Sequence, residues 1–181
     1  MAAMRKYPDM WVDPSDDPRE VGVISGGMRE TLMEYLRCQR LTFEMKCDGL
    51  DAAGLAERSV SPSSMSLLGL LRHLADVERT WFRRVFAGEE VPPLYRTPSD
   101  RDGAFTGAVA DPSVVADAWQ RWRSEVAYAE KLVLETDLSA VAAGDDELTM
   151  AELLVHMVEE YARHNGHADL IRERVDGRTG Q

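Results

Sequence analysis

Apolar residues recur at spacings of three and four along four separate stretches of the chain, the period of an α-helix packed on one face. The first stretch runs from about Met28 to Asp48, with Met28, Leu32, Tyr35, Leu36, Phe43 and Cys47 on one stripe, and Asp48-Gly49 ends it. The second runs from about Pro62 or Ser64 to Ala87, with Leu67, Leu70, Leu71, Leu74, Val77, Trp81 and Val85 on its stripe. Ser61-Pro62 offers a cap followed by proline at the first helical position, and Gly88 offers a stop. The third starts at Asp111-Pro112 and runs to about Thr136 through Val115, Trp119, Trp122, Val126, Ala129 and Val133. The fourth starts at Thr149, where Thr149 and Glu152 fit a capping box, and Gly177 closes it. No strand pattern competes, so the expected fold is all-α, a four-helix bundle.

Between the second and third helices, residues 88–111 hold Pro92, Pro93, Pro98, Gly103 and Gly107, which rule out a long regular element. A connection this long is either functional or a crossover, and it can span a helix length so that helices 2 and 3 run parallel. Residues 1–27, with Pro8, Pro14, Pro18 and Gly26-Gly27, are expected to form an N-terminal extension whose Trp11 docks on the core of a domain at residues 28–181.

The 181 residues fit one domain, and the net charge of −11 argues against a nucleic-acid partner. No apolar run approaches the ~20 residues of a membrane span, and the N-terminal stretch has no apolar segment of a secretory signal. Cys38 and Cys47 lie on one helix, ~13.5 Å apart in rise, too far for a disulfide. Free thiols imply a reducing compartment, hence a cytoplasmic protein.

Three of the four histidines fall between residues 156 and 167, and His156, Glu160, His164 and His167 lie within roughly 80° of one helix face. Glu160, His164 and His167 occupy stripe positions where core residues belong. A carboxylate there is costly unless something pairs with it. A divalent metal on Glu160 and His164 would do so, and His73, on or beside the inward face of helix 2, supplies a third ligand. Three ligands leave a fourth position open, the pattern of a catalytic site. The donor set suits zinc, and nickel, iron or manganese also accept it. The competing reading pairs Glu160 with an arginine of another helix and lets the histidines cap carbonyls. His167 and His156 are the candidates for proton transfer, because histidine titrates near neutrality. Trp81 and Tyr161, near the ligands, are candidate substrate-binding residues. Gly166, inside helix 4, either admits a close approach or eases packing. No His-Glu-x-x-His, P-loop, dinucleotide or Ser/His/Asp pattern appears.

Ser66-Leu-Leu-Gly-Leu-Leu-Arg-His73-Leu-Ala-Asp-Val-Glu-Arg-Thr-Trp81-Phe resembles the second helix of the DinB-like superfamily. Val155-His-Met-Val-Glu-Glu-Tyr-Ala-Arg-His-Asn-Gly-His-Ala-Asp-Leu-Ile-Arg-Glu-Arg-Val-Asp-Gly177 resembles its fourth, most closely in the DUF664 branch. The resemblance implies a DinB/YfiT-like bundle with an up-down-down-up course and a metal held by His73, Glu160 and His164. The His/Glu/His set is similar to that of the mycothiol-dependent maleylpyruvate isomerases. Asn165-Gly166-His167 departs from the commoner Arg-Gly-Gln tail, which leaves the role of His167 open. The activities the resemblance implies are a thiol S-transferase using mycothiol or a similar low-molecular-weight thiol on a small electrophile, or a thiol-dependent isomerase; a metal that activated water would instead make the site a hydrolase, and a non-catalytic metal-binding bundle that binds a partner is the third reading. A homodimer is also implied, in line with Met33 and Leu41 lying off the main stripe of helix 1.

Overall fold

The computed structural model describes residues 10–20 and 26–180; the remainder of the expected extension, residues 1–9 and 21–25, lies outside the described residues. Among the described residues the chain is mostly helical with one small antiparallel sheet. The long helices are α1 (Met28–Cys47), α3 (Leu67–Glu78), α5 (Pro112–Glu135) and α6 (Met150–Asp176), with short helices α2 (Ala52–Ala56) and α4 (Gly103–Thr106) between them. α1 packs chiefly on α6, α3 on α5, and α6 also on α3. The shared core holds Leu36, Phe43, Leu70, Leu74, Trp122, Leu153 and Met157, all buried.

The ends of these helices follow local chemistry. Asp111 accepts from Ser113 N–H at the start of α5, with Pro112 at its first position. Both bonds of the Thr149–Glu152 capping box are present on α6, and Gly177 ends it in the left-handed conformation at φ 77°. The expected start of helix 2 is corrected. Ser61–Pro62 is a cis peptide in a turn closed by Ser63 N–H on Val60 O, and the helix begins at Leu67 because the Ser66 hydroxyl accepts from Gly69 N–H. α3 then continues without a break into a π-helical segment, Arg79–Phe86.

The expectation of no strand is also corrected. β1 (Val141–Ala142) and β2 (Asp145–Thr149) pair antiparallel. A helix end leaves carbonyls unsatisfied, and this hairpin supplies donors to them: Ala143 N–H bonds Phe86 O and Gly144 N–H bonds Val85 O. A side chain at Gly144 would meet Val85 O at 2.9 Å, so only glycine lets the hairpin approach that closely.

Residues 88–111 retrace α3 from its C-terminal end to its N-terminal end. Glu89 pairs with Arg83, Pro92 O accepts from Arg79, and Leu94 and Tyr95 N–H donate to Asp76. Further along, Gly103 O and Ala104 O accept from Arg72, and Phe105 lies against Gly69. Trp11 is buried, as expected, under the Lys46 ammonium and the Arg178 guanidinium, 4.0 and 3.9 Å from its ring centre. Both cysteines are free.

Candidate metal centre and its cavity

His73 sits mid-way along α3 and faces α6, where Glu160 and His164 stand one turn apart. The Nε2 atoms of His73 and His164 are 3.1 Å apart, and Glu160 Oε2 is 3.5 Å from His164 Nε2. One donor atom from each of the three residues lies within 4.8 Å of the other two. Glu160 has His156 and His164 as its ion partners among the described residues, with no arginine. The buried arginine–glutamate pair of this fold is Arg40–Glu78 instead, with contacts of 2.8 and 2.9 Å.

Burial pushes the His73 imidazole below its ordinary pKa against the opposing pull of Glu160 and Asp76. His164 is pushed down to about 4, first by burial, then by His73, His167 and Arg163. Both rings are therefore neutral near pH 7 and keep a lone pair. A hydrogen bond between the two Nε2 atoms uses only one lone pair and obliges the other ring to carry its proton there. A cation between them uses both, and the 3.1 Å separation is near the ~3.3 Å expected of two nitrogens ~2.0–2.1 Å from one tetrahedral zinc. The residues present fit a divalent ion.

The remaining candidates separate. His167 Nδ1 lies 3.4 Å from His164 Nδ1, on the edge of the ring away from the shared point, where it can fix the tautomer of His164. His156 Nε2 is buried without a hydrogen-bond partner, 3.7 Å from Glu160 Oε1, and its ring packs on Trp81 with centres 4.3 Å apart. Trp81 lines a cavity of about 390 Å³ together with His73, Thr80, Arg96, Arg101 and Phe105. Tyr161 is not in that lining. It is fully buried, donates from its hydroxyl to Glu78 Oε1 at 2.7 Å, and accepts from Trp122 Nε1 at 2.7 Å. Its environment is a packed polar node, not a substrate wall.

Sequence reasoning missed Phe105, which stacks on His73 with ring centres 5.7 Å apart, and the two arginines. Phe105 reaches α3 because Gly69 has no side chain; a Cβ there would lie 2.6 Å from its ring. Gly69 inside an otherwise apolar helix was the available signal. Gly166, by contrast, has nothing within 4 Å of where its Cβ would be, so no close approach explains it.

Comparison with known proteins gives three findings. The sequence profile of a family described as mycothiol-S-transferase matches residues 31–177. No curated protein sequence matches. Among solved structures, the crystal structure of the conserved protein of locus from Enterococcus faecalis is similar, with a TM-score of 0.57 and 19% identity over 85% of this chain and 100% of that one. At that identity the likeness speaks for the fold alone.

Proposed function

Because this chain belongs to the mycothiol-S-transferase family, a DinB-like family, we propose that it is a divalent-metal-dependent enzyme that joins a mycothiol-type thiol to a small electrophile in the cavity beside His73. The carrying observation is the convergence of two neutral imidazole nitrogens, 3.1 Å apart, with the Glu160 carboxylate, one of the two rings, His73, lining that cavity. A divalent ion held by His73, Glu160 and His164, with zinc best suited to the donor set, would supply the positive charge that lowers the pKa of a thiol at an open position. Glu160 contributes one negative charge, and His167 holds the His164 ring from behind. Phe105 and Trp81 provide apolar walls that keep water from the reacting sulfur. His156 Nε2, buried and unpartnered, is the proposed carrier of the thiol proton.

Elemental analysis and a thiol-conjugation assay test this reading. The protein should hold one divalent ion per chain and conjugate a halo-arene faster with mycothiol than the metal-free protein does. His164→Ala should lose the ion and, with it, thermal stability, because binding to the native state stabilises folding. Full metal content in that variant, or no rate gain with any thiol, would overturn the proposal.

Three further features belong to the same reading. The retracing crossover supports an up-down-down-up bundle, since it returns the chain to the N-terminal end of α3 before α5 begins. Two free cysteines suit a reducing, cytoplasmic setting. Exposed Met28 and Tyr35 on α1 and Leu134 on α5 support a homodimer. Light scattering at micromolar concentration should give twice the 20.3 kDa chain mass, and a monomer mass would reject the dimer.

A further inference from the structure

We propose that the cavity beside His73 selects an electrophile carrying an anionic group, and that Arg96 and Arg101 of the crossover hold that group. The proposal rests on the S-transferase reading for its chemistry. The residues carrying it are outside the metal cluster.

The three arginines of the α3 helix and its π-helical continuation nearest the crossover are committed. Arg72 donates to the carbonyls of Gly103 and Ala104, and Arg79 and Arg83 both bind Glu125. Arg96 is different. Its one side-chain bond is a long one, 3.4 Å to Thr80 Oγ1. Arg101 makes no side-chain hydrogen bond or ion pair among the described residues. Both guanidiniums line the cavity that His73 lines, and the charge of Arg96 is close enough to His73 to oppose its protonation.

The two acids in the same wall form no ion pair with them among the described residues. Asp76 already accepts from Leu94 and Tyr95 N–H, at 2.6 and 3.1 Å. Asp102 is the one carboxylate of the lining whose oxygens take no hydrogen bond among the described residues. In a chain of net charge −11, a wall whose two arginines balance its two aspartates, with both guanidiniums left without a carboxylate partner among the described residues, is a place where an anion can be received.

The two arginines are also held at fixed spacing. They flank a turn in which Thr97 N–H bonds Asp100 O at 2.8 Å and Asp100 N–H bonds Thr97 O at 3.2 Å. Asp100 in turn accepts from Thr106 Oγ1 at 2.7 Å and Asp102 N–H at 3.1 Å, which ties the turn to α4. Guanidiniums on so closed a turn suit bidentate recognition of a planar or tetrahedral oxyanion. Mycothiol, built on a sugar and an inositol, carries no carboxylate, so the anion belongs to the electrophile.

The test uses the zinc-loaded protein with mycothiol and two halo-arenes that differ only in charge, a chloronitrobenzenesulfonate and its neutral sulfonamide. With either probe the sulfur lone pair forms the S–C bond, the C–Cl pair leaves with chloride, and the thiol proton passes by way of His156 to solvent. The sulfonate should be preferred in kcat/KM by about 10- to 100-fold, the factor contributed by a charge-assisted hydrogen bond. In Arg96→Ala with Arg101→Ala that preference should collapse through KM, with metal content unchanged, and Arg96→Lys should keep part of it. Equal turnover of both probes by the wild type, or a preference that survives in the double variant, overturns the proposal and leaves the transferase reading standing. If neither probe reacts with any thiol, the transferase reading fails. Calorimetric binding of unreactive benzenesulfonate then decides the anion subsite: binding that vanishes in the double variant upholds it, and absent or unchanged binding overturns it.

Discussion

A neutral ring is the shared requirement at His73 and His164, and it makes the stability of the metal-free protein depend on pH. The His164 imidazole titrates near 6.5 when exposed and near about 4 in the fold. Between those values the unfolded chain takes up a proton that the native state refuses, so acidification favours unfolding. Stability is fully present above about pH 6.5 and is lost as the pH falls toward about 4; His73, depressed by burial, acts with the same sign. Urea unfolding of metal-free wild type and His164→Gln across this window checks it. The variant should show a shallower loss on acidification, and parallel curves would remove His164 as the cause. At this scale the sequence was most legible where residues sat against their surroundings. Glu160 and His164 on the apolar stripe of α6 and His73 on α3 offer donor atoms within 4.8 Å of one another, while His167 of the same stripe lies behind the His164 ring. Phe105, Arg96 and Arg101 were not legible, because they reach the cavity from an irregular segment with no period to read.

Crossover and helix make one unit at the scale of elements. Arg72 is nearly buried and donates to Ala104 O and Gly103 O at 2.8 and 2.9 Å, with its guanidinium 3.9 Å from the centre of the Tyr95 ring. These bonds place α4, and so Phe105, over His73. Arg72→Ala should destabilise the protein by about 2–3 kcal/mol, since it leaves two carbonyls without a charged donor. Amide hydrogen exchange should quicken across residues 94–107 more than in α1; uniform protection would show that the crossover does not depend on Arg72. Length and proline content marked residues 88–111 as either functional or a crossover, but the path did not show, because it is written in side chains of α3 that bind its backbone. The π-helical segment Arg79–Phe86 stayed hidden for another reason. Over eight residues, an apolar stripe through Trp81 and Val85 does not separate a period of 3.6 from a wider one. The hairpin after α5 has strands too short for any alternation to register.

Across the whole molecule, one buried polar node joins all four long helices. Arg40 of α1 binds Glu78 of α3 through two hydrogen bonds, Tyr161 of α6 donates to Glu78, and Trp122 of α5 donates to Tyr161. Each helix contributes one residue, so a slip of any helix along its axis breaks at least one bond in the buried core. Such a node fixes register more than it adds stability, because desolvating an ion pair offsets much of its attraction. The sequence shows Arg40, Glu78, Trp122 and Tyr161 separately, each beside apolar neighbours, and nothing in helical spacing reveals that they meet. Tyr161→Phe follows as the sharpest test. It leaves the Trp122 N–H without its acceptor and removes one donor from Glu78, and should cost about 1–3 kcal/mol. Glu78→Gln removes the charge opposite buried Arg40 and should cost more, about 3–5 kcal/mol. Because Tyr161 lies outside the cavity lining, Tyr161→Phe should keep its metal content and its kcat/KM at temperatures where it stays folded. A loss of conjugation without a loss of stability would return Tyr161 to the substrate wall.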